Sequence, residues 1–148
     1  MAKRTRRLST EDLWRLARPA QPALSPDGAQ ACVSVTTFDM EENKGASKLW
    51  LLSTFGGAPR PLTEAGEKDG EPRWSPDGTQ IAFVAKRDKD EEAQLWLIAP
   101  DGGEARRVTR MPTGVFGIKW FPDSRRVAFI SWVWPEAIGY EALNARWK

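Results

Sequence analysis

The sequence predicts an all-β chain, part of a β-propeller with four-stranded blades, preceded by a short helix. Three observations carry that reading. A tight-turn motif recurs, as SPDG at Ser25–Gly28 and Ser75–Gly78 and as FPDS at Phe121–Ser124. The segments Lys48–Thr63 and Gln94–Thr109 match at a constant offset of 46 residues, with Leu-Trp, Gly-Gly and an aliphatic-Thr pair in step. Each period also reads as short strands joined by hairpin-length connections. A period of this length points to a repeat architecture before a single globule.

The elements follow in order. Residues 1–20 form a basic arm and an N-terminal helix. Ser9 or Thr10 is the expected cap, acids follow in the first turn, Leu13 and Leu16 fall at helical spacing, and Pro19 and Pro22 end it. Residues 21–66 form a first blade-like repeat and 67–114 a second. In the second, Glu71–Trp74, Gln80–Lys86, Ala93–Ala99 and Arg106–Arg110 are the expected strands. Residues 115–148 form an incomplete third repeat, with a second strand ending near Pro135 and a helical excursion over Glu141–Trp147.

The middle strand of the second repeat decides between architectures. It is apolar at successive positions, placing Ile81, Phe83 and Ala85 on one face and Ala82 and Val84 on the other. Both faces must then be covered. A blade stacked between two others meets that demand, whereas a β-sandwich predicts a water-facing polar row.

The turn has its own chemistry. Proline presets the first corner, Asp27, Asp77 and Asp123 accept backbone N–H groups nearby, and Gly28 and Gly78 take the left-handed conformation without a Cβ clash. These aspartates therefore read as turn formers rather than acids or metal ligands. Ser124 stands where the glycine is expected, at a cost of about 1 kcal/mol if the geometry is kept. Trp50, Trp74, Trp96 and Trp120 keep register and read as inter-blade packing rather than ligand stackers. The acidic stretches Arg87–Ala93 and Asp39–Ser47 link strands but lack a calcium loop's glycine and alternating ligands, so solvated hairpin tips are expected.

Composition bounds the rest. Of 148 residues, 41% are apolar and 28% charged, and Cys32 is the single cysteine, which excludes an internal disulfide and a multi-cysteine zinc site. The start, MAKRTRRLS, has no apolar segment behind it, and no run is long enough to cross a bilayer, so a cytoplasmic protein without membrane contact is expected. The net charge of +2 comes from the arm, where Lys3, Arg4, Arg6 and Arg7 are too few for a nucleic-acid patch and read as a solvated tail. The third repeat lacks about 25 residues of its pattern, and two and a half blades cannot close a ring. The expectation is a piece of a longer protein, or a chain that closes with another copy as a homo-oligomer.

The run LSTEDLWRLARPAQPALSPDGAQACVSV, followed by RWSPDGTQIAFVAKR, LWLIAPDGGEARRVT and KWFPDSRRVAFIS, resembles the N-terminal propeller of prolyl oligopeptidase-family serine peptidases, the acylaminoacyl-peptidase branch above all. The turn motifs alone are shared with TolB-like and WD-like propellers; the helix leading into the first turn is the more specific part. The resemblance implies a propeller that sits over a C-terminal α/β-hydrolase domain and admits short peptides to it. The hydrolase would supply a serine elbow, an aspartate and a histidine. This chain has no histidine and no Gly-x-Ser-x-Gly, so it is expected to be inactive alone. No catalytic, metal-binding or cofactor-binding residue is assigned, and no cofactor is expected. Related dipeptidyl peptidases offer glutamates to a substrate's amino terminus; Glu136 and Glu141 lie in a comparable excursion but read as helix surface. A non-catalytic TolB-like interaction propeller is the alternative.

Overall fold

The computed structural model describes residues 7–66, 68–87 and 90–147. Lys3, Arg4 and Arg6 of the basic arm, and Asp88 and Lys89 of the second acidic stretch, lie outside them. Helix α1 (Thr10–Arg15) starts from Ser9, whose backbone N–H and hydroxyl both donate to the Asp12 carboxylate, at 2.9 and 3.3 Å. A carboxylate at this position also complements the positive end of the helix dipole. The helix stops at Arg15, so Leu16 falls outside it, and Leu13 and Leu16 are both exposed rather than forming a buried stripe. Trp14 holds the element to the body through an edge-on contact with Phe38 at 5.7 Å.

Three antiparallel sheets follow. In the first, β1 (Arg18–Pro19) and β2 (Ala23–Leu24) both pair with β3 (Gln30–Asp39), which pairs with β4 (Lys44–Ser53), and β4 with β5 (Arg60–Pro61). The second is a meander of β6 (Gly70–Trp74), β7 (Ile81–Ala85), β8 (Gln94–Ala99) and β9 (Gly102–Arg107). The third comprises β10 (Phe116–Trp120) and β11 (Val127–Ile130), and α2 (Tyr140–Trp147) lies in the excursion after it.

The second repeat has its four expected strands, but the fourth is shifted from its expected place at Arg106–Arg110. It begins at Gly102, directly opposite Ala99. Gly102 and Gly103 adopt φ of 103° and 98°, which only glycine takes without strain, so the hairpin turns at Pro100–Asp101 and the strand starts at once. The aliphatic-Thr pair then continues the pairing past the strand: Val108 N–H donates to the Leu95 carbonyl, and Leu95 N–H to the Thr109 hydroxyl at 2.9 Å. Leu62 and Thr63 do the same against Leu49.

The two faces of β7 part as its alternation requires. Ile81, Phe83 and Ala85 pack with Cys32, Leu49, Leu51 and Leu62 of the first sheet. Ala82 and Val84 pack with Leu95, Val115 and Ile118, joining the second sheet to the third. All five side chains of β7 are buried, so the second sheet sits between the other two as a propeller blade does.

The turns account for their residues. In the first two, the serine hydroxyl donates to the aspartate at 2.6 Å and accepts the N–H of Gln30 or Gln80. Asp27 and Asp77 also accept the N–H groups of Ala29 and Thr79. In the third turn Phe121 replaces the serine, and Asp123 instead accepts from the backbone and guanidinium of Arg126. Ser124 keeps the left-handed geometry at φ 56°, and its hydroxyl accepts the Asp77 N–H at 3.0 Å. The departure from glycine thus supplies a bond between neighbouring turns.

Candidate functional site

The sheets converge along one edge and splay along the other. On the convergent edge, Trp74 donates its indole N–H to the Ala23 carbonyl at 3.0 Å and Trp120 to the Arg73 carbonyl at 3.0 Å. There too the Gly117 N–H donates to the Glu71 carboxylate at 2.9 Å. These bonds join β2, β6 and β10, the first strands of the three repeats. Trp74 and Trp120 are thereby inter-sheet ties, as their periodicity requires. Glu71 itself takes φ 50° in a bulge of β6, and Gly117, its counterpart 46 residues on, takes φ 63° in a bulge of β10. Left-handed backbone is costly for a glutamate, and repetition alone gave no sign of it.

On the splayed edge a cavity of about 540 Å³ separates β5 from β9, with a floor of Leu62, Trp96 and Ile98 and a rim carrying Arg60, Glu64 and Glu104. Arg60 bridges it, donating to the carbonyls of Pro100 and Asp101. Tight inner strands with a wedge between outer ones give the arc its curvature. The edge formed by β2, β6 and β10 is therefore the one that would face a central passage.

The acidic stretch after β7 is not merely a solvated tip. Arg87 makes two bonds to Asp69, Nε to Oδ1 at 3.1 Å and Nη2 to Oδ2 at 2.5 Å, and both side chains are buried. Its guanidinium lies 5.0 Å from the Phe83 ring centroid and 5.2 Å from that of Trp96. Asp69 is anchored to the first sheet, accepting the Ser34 hydroxyl at its carbonyl and donating its N–H to the Ser47 carbonyl. Gly66 closes over the pair, with a Cβ there falling 2.7 Å from Asp69 Oδ1. Asp90 pairs in turn with Arg107. The equivalent stretch in the first repeat does form an exposed tip at Met40–Asn43, between β3 and β4.

The remaining singled-out residues carry structural duties. Hydrogen bonds hold the three turn aspartates below the usual carboxylate range, from the serine hydroxyl above all at Asp27 and Asp77 and from the Arg125 N–H at Asp123. Burial pushes the Cys32 thiol up to about 12. Glu136 pairs with Arg146 at 2.9 Å across the excursion, and Glu141 sits in the first turn of α2. Among the described residues no group of three or more Cys, Asp or Glu could hold a metal ion, and no helix is long and apolar enough to cross a membrane.

No family model matches the chain. It is 32% identical over 83 residues to the uncharacterized peptidase YuxL of Bacillus subtilis, a match covering 56% of this chain and 13% of that protein. Among solved structures, the acylaminoacyl peptidase of Pyrococcus horikoshii superimposes at TM-score 0.65 with 24% identity, over 84% of this chain and 19% of that one. The β-propeller domain of the trilobed protease of Pyrococcus furiosus follows at TM-score 0.64 and 20% identity, over 84% of this chain and 37% of that one. A TolB of Agrobacterium tumefaciens gives TM-score 0.64 and 24% identity, over 80% and 39%. These likenesses show a β-propeller fold, and the sequence match adds kinship with peptidases. The chain is thus a propeller portion related to peptidases, and it spans little more than a tenth of the curated relatives it matches.

Proposed function

We propose that the chain is the N-terminal propeller segment of a cytoplasmic serine peptidase of the prolyl oligopeptidase family, of acylaminoacyl-peptidase type. It would control the access of short peptides to a C-terminal α/β-hydrolase domain that these 148 residues do not contain. The observation that carries the reading is the curvature of the arc. Inner strands are tied by indole-to-carbonyl hydrogen bonds and outer strands stand apart, so a closed ring of such sheets encloses a narrow passage, and the sequence kinship is with peptidases. A passage of that kind selects by width, admitting an extended peptide and excluding a folded protein. With no histidine, the segment itself cannot assemble a Ser-His-Asp triad.

The test uses the natural full-length polypeptide. Expected is cleavage of short chromogenic peptides, blocked by a serine-directed fluorophosphonate, with no cleavage of a folded protein substrate. The isolated chain should turn over neither. A full-length product without a Gly-x-Ser-x-Gly elbow would favour the second reading, a non-catalytic interaction propeller, whose fold likeness to TolB is equally good.

A further inference from the structure

The open face of the third sheet has a specific lock. Two inter-sheet ties follow one rule: the tryptophan ending the inner strand of one sheet donates its indole N–H to the carbonyl of the residue one place earlier in the inner strand of the preceding sheet. Trp74 reaches the Ala23 carbonyl and Trp120 the Arg73 carbonyl, both at 3.0 Å. Ala23, Arg73 and Lys119 are equivalent positions, at offsets of 50 and 46. The next acceptor in the series is therefore the Lys119 carbonyl in β10. Beside it, Ala128 and Ile130 of β11 occupy the positions of Ala82 and Val84, the face that the second sheet buries against the third. Ile130 is 54% exposed.

The key for this lock is absent from the first sheet. Its position equivalent to Trp74 and Trp120 is Leu24, which is 61% exposed and carries no donor. Otherwise that sheet's free side offers the expected apolar surface, including Trp50 and Leu52, the counterparts of Trp96 and Ile98. We propose that the open face of β10–β11 is a docking surface for a further β-sheet of the same repeat whose inner strand ends in tryptophan, keyed by an indole N–H on the Lys119 carbonyl. A second copy of this chain, presenting Leu24, is not its partner. This rests on the propeller reading of the arc but on nothing about peptidase activity.

The experiment installs the key. Sedimentation velocity of the 148-residue chain over a hundredfold concentration range is compared with Leu24→Trp, with Leu24→Phe as a control for aromatic size without a matching donor, and with Leu24→Trp combined with Ile130→Lys. Far-UV circular dichroism confirms that each variant folds. Expected is head-to-tail association of Leu24→Trp roughly tenfold tighter than wild type or Leu24→Phe, as one net hydrogen bond allows, and its loss on adding Ile130→Lys. The proposal is overturned if wild type associates as tightly as Leu24→Trp, if Leu24→Trp shows no gain, if Leu24→Phe gains as much, or if association survives Ile130→Lys. None of these outcomes bears on whether the full-length protein is a peptidase.

Discussion

Strands β7 and β11 are the same element of the repeat, 46 residues apart, with Ile81, Ala82, Phe83 and Val84 answering to Val127, Ala128, Phe129 and Ile130. Their chemistry is nearly identical and their burial is not. Phe83 is fully buried, whereas Phe129 is 37% exposed. The difference lies in neighbours: β7 has a strand on each side and a sheet against each face, while β11 pairs with β10 alone and its sheet has the second on one side only. Burial in this architecture belongs to the stack, and a strand apolar on both faces reports how many neighbours it needs rather than how many it has.

Substitutions sharpen the comparison. Phe83→Ala should cost about 3–5 kcal/mol in urea unfolding, and Phe129→Ala about 1 kcal/mol or less, because a half-open site forfeits fewer contacts and leaves no sealed cavity. Equal losses would erase the distinction between the strands. Next in size, Asp69→Ala strands a buried Arg87 without its counter-charge and should cost about 3 kcal/mol by the same measurement. The corresponding positions at the second interface are Val115 and Val133, where no charge is at stake.

Smaller effects come from the turns and the thiol. Gly78→Ser should cost about 1 kcal/mol for its left-handed φ, while Ser124→Gly should be near neutral, since relief of strain offsets the lost bond to the Asp77 N–H. The turn aspartates have folded pKa values below the ordinary 3.8, so their contribution is present above that value and is lost as pH falls through the lower folded one. Acid unfolding should accordingly steepen below pH 3.8, and Asp77→Asn should flatten it. Cys32, buried and held protonated at neutral pH, should react with Ellman's reagent at pH 8 only at the rate of unfolding.

The sequence made the repeating features legible and hid the unrepeated ones. Constant offsets exposed the two faces of β7, the inter-sheet tryptophans and the strained turn at Ser124, because each recurs and each follows from local stereochemistry. The Asp69–Arg87 pair was invisible. Its partners stand 18 residues apart, have no charged counterparts one repeat later, and Arg87 opens a stretch whose acidity suggests solvent. The left-handed Glu71 was hidden for a different reason. A glutamate in a strand carries no sign of a bulge, and its glycine counterpart at position 117 becomes meaningful only once Gly117 N–H is seen to donate to it. The early start of β9 was written in Gly102–Gly103, but a glycine pair between strands signals a turn as readily as a strand start.

Native-state hydrogen exchange, resolved by amide and read on the chain alone, tests the dependence of each sheet on its neighbours most directly. Amides of Ile81–Ala85 should exchange only by global unfolding, and those of Val127–Ile130 by local opening at a rate orders of magnitude faster. Matching protection in the two strands would mean that the third sheet is stable without a further partner, contradicting the account.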